Sequence, residues 1–311
     1  SAQPAWLLAA LFLLLPNLFF QYRKWKLLLR SAYPALDTRQ VRESLFLGFA
    51  FGVVTPARIG EFGGRAAGVR GADRLTLIGL TAVDKVATLA VTVGAGAVGL
   101  LLFCFRHPFM SPWTLLAMEI ACAAVLTAFL HFRSRRSATR TRSAGQAATE
   151  APSVEMPATE APSTEMPATE APSGEAPATD GRIGRHLRLL RGVLRSLDAG
   201  TRRGLLLFSI LFYATFVLQF FLLLRAFGPV EPFSALAAIS SIMLIKTVVP
   251  PMTLGELGIR EGASVLVLGY AGTVAAVALG ASLLLFSINI LLPGLAGLAV
   301  LLRRPAPRGK T

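Results

Sequence analysis

The chain carries little charge and few of the side chains that ligate metals or do chemistry. Asp, Glu, Lys and Arg make up 15% of its 311 residues, and only 2 cysteines and 3 histidines occur. Cys104 and Cys122 both fall inside apolar runs, where a thiol behaves as a small hydrophobe, so the spacing offers no disulfide framework and no metal-ligand set. His107, His131 and His186 are scattered at run ends or in a loop. No nucleophile elbow, phosphate-cradling P-loop or soluble catalytic domain appears. The expectation is a protein without metal or cofactor that is not an enzyme.

Acidic residues are scarce too, 17 against 31 basic, which leaves a formal net charge of +14. The basic residues stand in blocks between apolar runs and at their ends, the positive-inside pattern. The expected partners are therefore anionic phospholipids at the cytoplasmic face rather than nucleic acid. Nothing in the sequence fixes an oligomeric state. What the chain has in excess is apolar side chains, 54% of the total, with mean hydropathy +0.60, and this makes it a multi-pass membrane protein.

One stretch occurs twice. Val53–Arg65 reads VVTPARIGEFGGR and Val248–Arg260 reads VVPPMTLGELGIR, 195 residues later, with Val, Val, Pro, Gly, Glu, Gly and Arg in register. Each copy follows an apolar run, stops it at a proline (Pro56, Pro251) and continues with glycines (Gly60 and Gly63, Gly255 and Gly258). Proline removes a backbone donor and glycine releases helical geometry, so neither copy is ordinary spanning helix. Irregular backbone at membrane depth must be buried in protein or line a wet cavity, and paired interruptions in two halves point to a transporter's binding site.

Read in order, Ala5–Phe20 spans and leads into the basic stretch Gln21–Arg42, with Tyr22 and Trp25 as expected interfacial anchors. The short Leu45–Thr55 run covers about half of a ~30 Å hydrocarbon core, so it is expected to dip in, turn at Pro56 and return. Leu75–Phe105 and Pro112–Phe132 span next. A ten-residue Pro-, Ala- and Glu-rich repeat over 148–180 is expected to be a disordered acidic linker, followed by an amphipathic helix over 183–197. Gly204–Leu224 spans, Phe233–Val249 leads into the second motif, and Gly272–Leu302 is the last apolar stretch, with a kink expected at Pro293 and Gly294. The domain plan is a first membrane repeat over 1–132, a cytoplasmic linker over 133–203, and a second repeat with basic tail over 204–311. Three full spans separate the first helices of the two halves, an odd number, so the expected fold is an all-α polytopic membrane protein. Its two repeats are inverted, and each carries a re-entrant, Pro/Gly-broken segment.

Ionisable groups at membrane depth are functional candidates by default. They are Arg58, Glu61 and Arg65 in the first copy and Lys246, Glu256, Arg260 and Glu261 around the second, four cations against three carboxylates. The remaining positive charge suits a phosphate-bearing ligand. Asp84, Lys85 and Arg23 are possible additions, and Glu119 a weaker one. The competing explanation is that Glu61–Arg65 and Glu256–Arg260, each at i,i+4, are local ion pairs that hold the break together.

At these residues the chain resembles the lysylphosphatidylglycerol synthase transmembrane-region family of flippase-like membrane proteins. Pro56, Gly60, Glu61 and Arg65 match its first motif, Pro251, Gly255, Gly258, Arg260 and Glu261 its second, and Arg23–Trp25 its early basic stretch. The resemblance implies translocation between leaflets, in a prokaryotic cytoplasmic membrane, of a lipid with a phosphate-containing head group. An aminoacylated phospholipid or a polyprenyl-phosphate-linked sugar would qualify. Asp84–Lys85 stands where the resemblance leads one to expect a Glu–Arg-like pair, and no stretch matches the soluble aminoacyl-transferring domain, so the chain is not expected to make lysyl-lipid. A small-solute or ion transporter on the same plan, or a non-transporting adaptor using the acidic repeat, are the alternatives.

Overall fold

In the structure, a computed structural model, residues 3–107, 197–248 and 257–303 are described. The expected linker, the amphipathic helix apart from Leu197, the Pro112–Phe132 run with Glu119, and the motif residues Pro251, Gly255 and Glu256 lie outside them. Every regular element among the described residues is helical. Helix α1 (Pro4–Phe12) and α2 (Leu14–Ala32) form one nearly continuous span, interrupted at Leu13 because Pro16 has no N–H to offer the carbonyl of Phe12. They are followed by α3 (Thr38–Val53), the short α4 (Gly60–Ala67) and the long α5 (Arg74–Arg106). The later half comprises α6 (Ala199–Phe227), α7 (Pro232–Val248), α8 (Ile259–Tyr270), α9 (Ala275–Phe286), a π-helical turn (Ser287–Leu291) and α10 (Leu292–Leu302). Pro4–Ala32, Arg74–Arg106, Ala199–Phe227 and Ala275–Leu302 are long and apolar enough to cross a membrane. The chain is thus a multi-pass helical membrane protein, and side chains such as Phe12, Phe105 and Leu302 expose apolar surface of the kind a bilayer covers.

The two halves are laid out on one spacing. Adding 195 to the bounds of Pro4–Ala32 gives 199–227, those of α6, and adding it to α3 gives 233–248, which is α7 to within one residue. Packing between the halves is reciprocal: α3 lies against α10, and α7 lies against α5. Both contacts use a pair of glycines three residues apart. A side chain at Gly99 of α5 would run into Ser240 of α7, and one at Gly297 of α10 would run into the carbonyl of Phe46 in α3. Backbones can approach this closely only where Cβ is absent.

Two apolar clusters result. Trp25, Leu28, Val41, Leu45, Leu77 and Leu80 centre the first, while Phe220, Leu223, Ile239, Ile242, Val267 and Leu285 centre the second. The expected kink at Pro293 is realised one turn earlier as the π-turn. Pro293 cannot donate to the carbonyl of Asn289, and Leu292 N–H instead bonds to Ser287 O, five residues back.

Candidate functional site

The site begins with the break after α3. Thr55 staples it: its hydroxyl donates to Phe51 O at 2.9 Å and accepts from Gly60 N–H at 2.8 Å, occupying a carbonyl at the end of α3 and an amide at the start of α4. Between them Ala57 and Arg58 take the left-handed conformation (φ 52° and 55°), each at a cost of about 1–2 kcal/mol for a residue with a side chain. Helix α4 then lays Gly60, Gly64 and Gly68 along α3. A Cβ at Gly64 would stand 2.5 Å from Leu47 O, and one at Gly68 would overlap Ser44. With its small side pressed on α3, α4 turns Glu61 and Arg65, four residues apart, toward α5.

There they join a buried ion network. Arg65, 1% exposed, donates to Glu61 Oε1 at 2.5 Å and to Asp84 Oδ2 at 2.9 Å. Glu61, fully buried, also meets Lys85 at 2.5 Å and Arg58 at 3.3 Å. Asp84 takes a second cation, Lys24 of α2, at 2.8 Å, and Lys24 donates to Thr88 Oγ1 at 2.5 Å. The Arg65 guanidinium stacks 4.7 Å from the ring of Trp25, whose Nε1–H donates to Ser44 Oγ, and Ser44 in turn donates to Arg65 O at 2.7 Å. Counting 1.5 Å per residue, Asp84 lies about 15 Å into α5 from its start, and Lys24 about 12 Å into α2 from its end. Four cations against two carboxylates at that depth leave the network positive.

The second arginine is held more locally. Helix α8 starts at Gly258, whose φ of 99° only glycine adopts without strain, and Glu261 Oε2 accepts the Gly258 N–H at 2.7 Å. Arg260, 2% exposed, donates to Glu261 Oε1 at 2.6 Å and to Ser282 Oγ at 3.0 Å. Ser282 Oγ also donates to Glu261 Oε1 at 3.2 Å.

The two motifs line one cavity of about 400 Å³. Arg58 and Arg65 come to it from the first and Arg260 from the second, with Lys246 from α7 just before the second, joined by Lys24, Asp84 and Lys85. Glu61 and Glu261 stand behind the arginines, in contact with them but outside the lining. Counting these nine groups, six cations face three carboxylates.

Other expectations change. Trp25 is no interfacial anchor: it is fully buried under Arg65 because its indole N–H has a partner inside, on Ser44. Arg23 points away from the cavity and stacks on Phe19 and Phe208, whereas Lys24 beside it enters the network. Asp84, buried, pairs with Arg65, and Lys85, its side chain 38% exposed, pairs with Glu61, so both possible additions join the network. Gly63 has nothing within 4 Å of where its Cβ would be, so the motif's close contacts rest on Gly60 and Gly64. Lys24, Thr88, Asn17 and Asn289 were missed by reading the motifs alone. Their signal was polar spacing on one helix face, Asn17, Gln21 and Lys24 at i, i+4, i+7 and Asp84, Thr88 and Thr92 at i, i+4, i+8.

No curated protein and no solved structure matches the chain. The family model described as lysylphosphatidylglycerol synthase TM region matches residues 1–297, and the chain belongs to that family.

Proposed function

We propose that the chain moves a lipid with a phosphate-containing head group between leaflets, holding the head in the cavity while the acyl or prenyl tails stay in the bilayer. The observation that carries this reading is the convergence of cations from both motifs on one cavity, with Glu61 and Glu261 set behind the arginines. A phosphate crossing bare hydrocarbon meets a desolvation barrier, and a wet cationic cavity lowers it. Family membership ties the chain to membrane processes related to lysylphosphatidylglycerol and so favours a lipid over a small solute. No covalent bond is made or broken in this scheme, and no cofactor is called on.

The two halves act as inverted repeats whose broken segments, α3–α4 and α7–α8, enter from opposite faces. The common 195-residue spacing and the reciprocal packing of α3 on α10 and α7 on α5 support that plan. The basic loops and C-terminus face the cytoplasm of a prokaryotic cell and touch anionic phospholipid there. Single cysteines introduced as Ala35→Cys and Pro229→Cys in a cysteine-free background should be labelled from opposite faces; labelling of both from one face overturns the inverted plan. For the substrate, mass spectrometry of the purified protein should find a phosphate-bearing lipid retained by the native chain and depleted in folded Arg65→Gln. Equal retention by both removes the site from the account.

A further inference from the structure

Three amide side chains in the cavity lining, Asn17, Gln21 and Asn289, are uncharged and have no hydrogen bond or ion pair to the ion network among the described residues. Asn17 and Gln21 stand one turn apart on α2, and Gln21 Nε2 donates to Asn17 Oδ1 at 2.9 Å. Asn17 is 1% exposed, yet its own Nδ2 finds no hydrogen-bond partner among the described residues. From the other half, Asn289 on the π-turn is 8% exposed and donates Nδ2 to Gln219 Oε1 at 2.8 Å, while its Oδ1 likewise has no partner among the described residues. Gln219 cannot swing away to serve it, because its Nε2 is committed to Ala10 O at 2.8 Å. Asn17, Gln21 and Asn289 all line the cavity, and between them they leave one buried donor and one buried acceptor without partners among the described residues. Buried polar groups left over in this way call for a ligand or another explanation.

Charge decides which ligand. Among the described residues, the three carboxylates at the cavity, Glu61, Asp84 and Glu261, are each already paired with an arginine. An ammonium group would enter a positive cavity with none of these to receive it. A hydroxyl both donates and accepts, which answers an orphan N–H and an orphan carbonyl oxygen together. Building on the lipid reading above, we propose that Asn17, Gln21 and Asn289 form an uncharged subsite for the hydroxyl-bearing part of a head group whose phosphate faces Arg65 and Arg260. The substrate class is then a polyol or sugar phosphate ester rather than an amine-bearing one.

Soluble head groups test this on the full chain in detergent. Calorimetric titration with glycerol 1-phosphate should give binding about tenfold tighter than inorganic phosphate, the equivalent of one net hydrogen bond, with phosphoethanolamine no tighter than phosphate. Asn289→Leu and Asn17→Leu, on different helices and each checked for folding by thermal unfolding, should erase the tenfold preference while leaving the affinity for inorganic phosphate. Asn17→Asp should reverse the preference toward phosphoethanolamine, an outcome that a structural role alone does not produce. Tighter native binding of phosphoethanolamine, a preference surviving in both folded leucine variants, or no binding of any of the three overturns the subsite. A glycerol phosphate preference in a protein that moves no lipid sustains the subsite and overturns the lipid reading instead.

Discussion

Arg65 and Arg260 hold equivalent places in the duplicated motif, and both are buried, but their counter-charges come from different distances. Arg65 is shared between Glu61, four residues back on its own helix, and Asp84 on α5, and those two carboxylates also serve Lys24, Lys85 and Arg58. Among the described residues, Arg260 is satisfied by the adjacent Glu261 and by Ser282. The contrast extends to the spans around them. Lys24 plus 195 is Gln219, so where the first half joins span to span by Lys24 and Asp84, the second does so by the amides Gln219 and Asn289. A common backbone spacing therefore carries a charged joint between spans in one half and a neutral one in the other. Symmetry of the chain does not impose symmetry of the chemistry.

The largest test of that contrast is to remove one carboxylate from each half. Glu61→Gln leaves three buried or half-buried cations short of a partner and should cost about 3–5 kcal/mol, read as lost thermal stability in detergent. Among the described residues Glu261→Gln strands one cation, Arg260, which keeps Ser282, and it should cost clearly less; equal losses would mean that the first network is no more interdependent than the second arginine's local set. A smaller effect is expected at the glycines. Gly64→Ala should destabilise by about 1–3 kcal/mol because α3 and α4 must separate, whereas Gly63→Ala should be neutral or gain up to ~1 kcal/mol from helix propensity. If the two alanine variants unfold alike, α4 does not lie flat on α3.

The smallest effect is acid sensitivity at the caps, one in each half. Asp73 starts α5 and is held below the usual carboxylate range by its hydrogen bonds from the Thr76 hydroxyl and amide; Glu231 starts α7 and is lowered likewise by Ser234. A depressed folded pKa contributes stability that is present above the unfolded value of about 4 and lost as pH falls through the folded one. Unfolding midpoints of Asp73→Asn and Glu231→Gln should therefore drop less than native between pH 5 and pH 3. Identical pH profiles for native and variants would show that the caps contribute nothing.

Much of this was legible in the chain because two constraints coincided. Duplication of Pro56, Gly60, Glu61 and Arg65 as Pro251, Gly255, Glu256 and Arg260 singled out the motifs, and long apolar runs located the spans. Proline's missing donor also announced a defect near residue 293, though not that it would take π form and turn Asn289 into the wall. Lys24 was hidden among Arg23 and Lys26, since only helical phase separates the residue that turns inward from the two that face out. Asp84 was legible as no more than a possible addition because its depth depends on where α5 begins, at Arg74. The pairing of Gln219 with Asn289 was invisible for a plainer reason: 70 residues separate them, and an amide pair leaves no charge pattern to follow.

If the arginines of both motifs bind the phosphate of a lipid as it crosses, the rate of head-group translocation by purified protein in proteoliposomes depends on them. Arg65→Gln and Arg260→Gln, each confirmed to fold and insert, should slow translocation about 10- to 100-fold, the effect of losing one charge-assisted contact. Arg260→Lys should recover part of the loss, because a point charge lacks the guanidinium fork. Arg39→Gln, whose side chain is 78% exposed in a surface pair with Glu43, should leave the rate at the native level. Native rates in folded Arg65→Gln and Arg260→Gln would contradict the claim and return both arginines to a purely structural role.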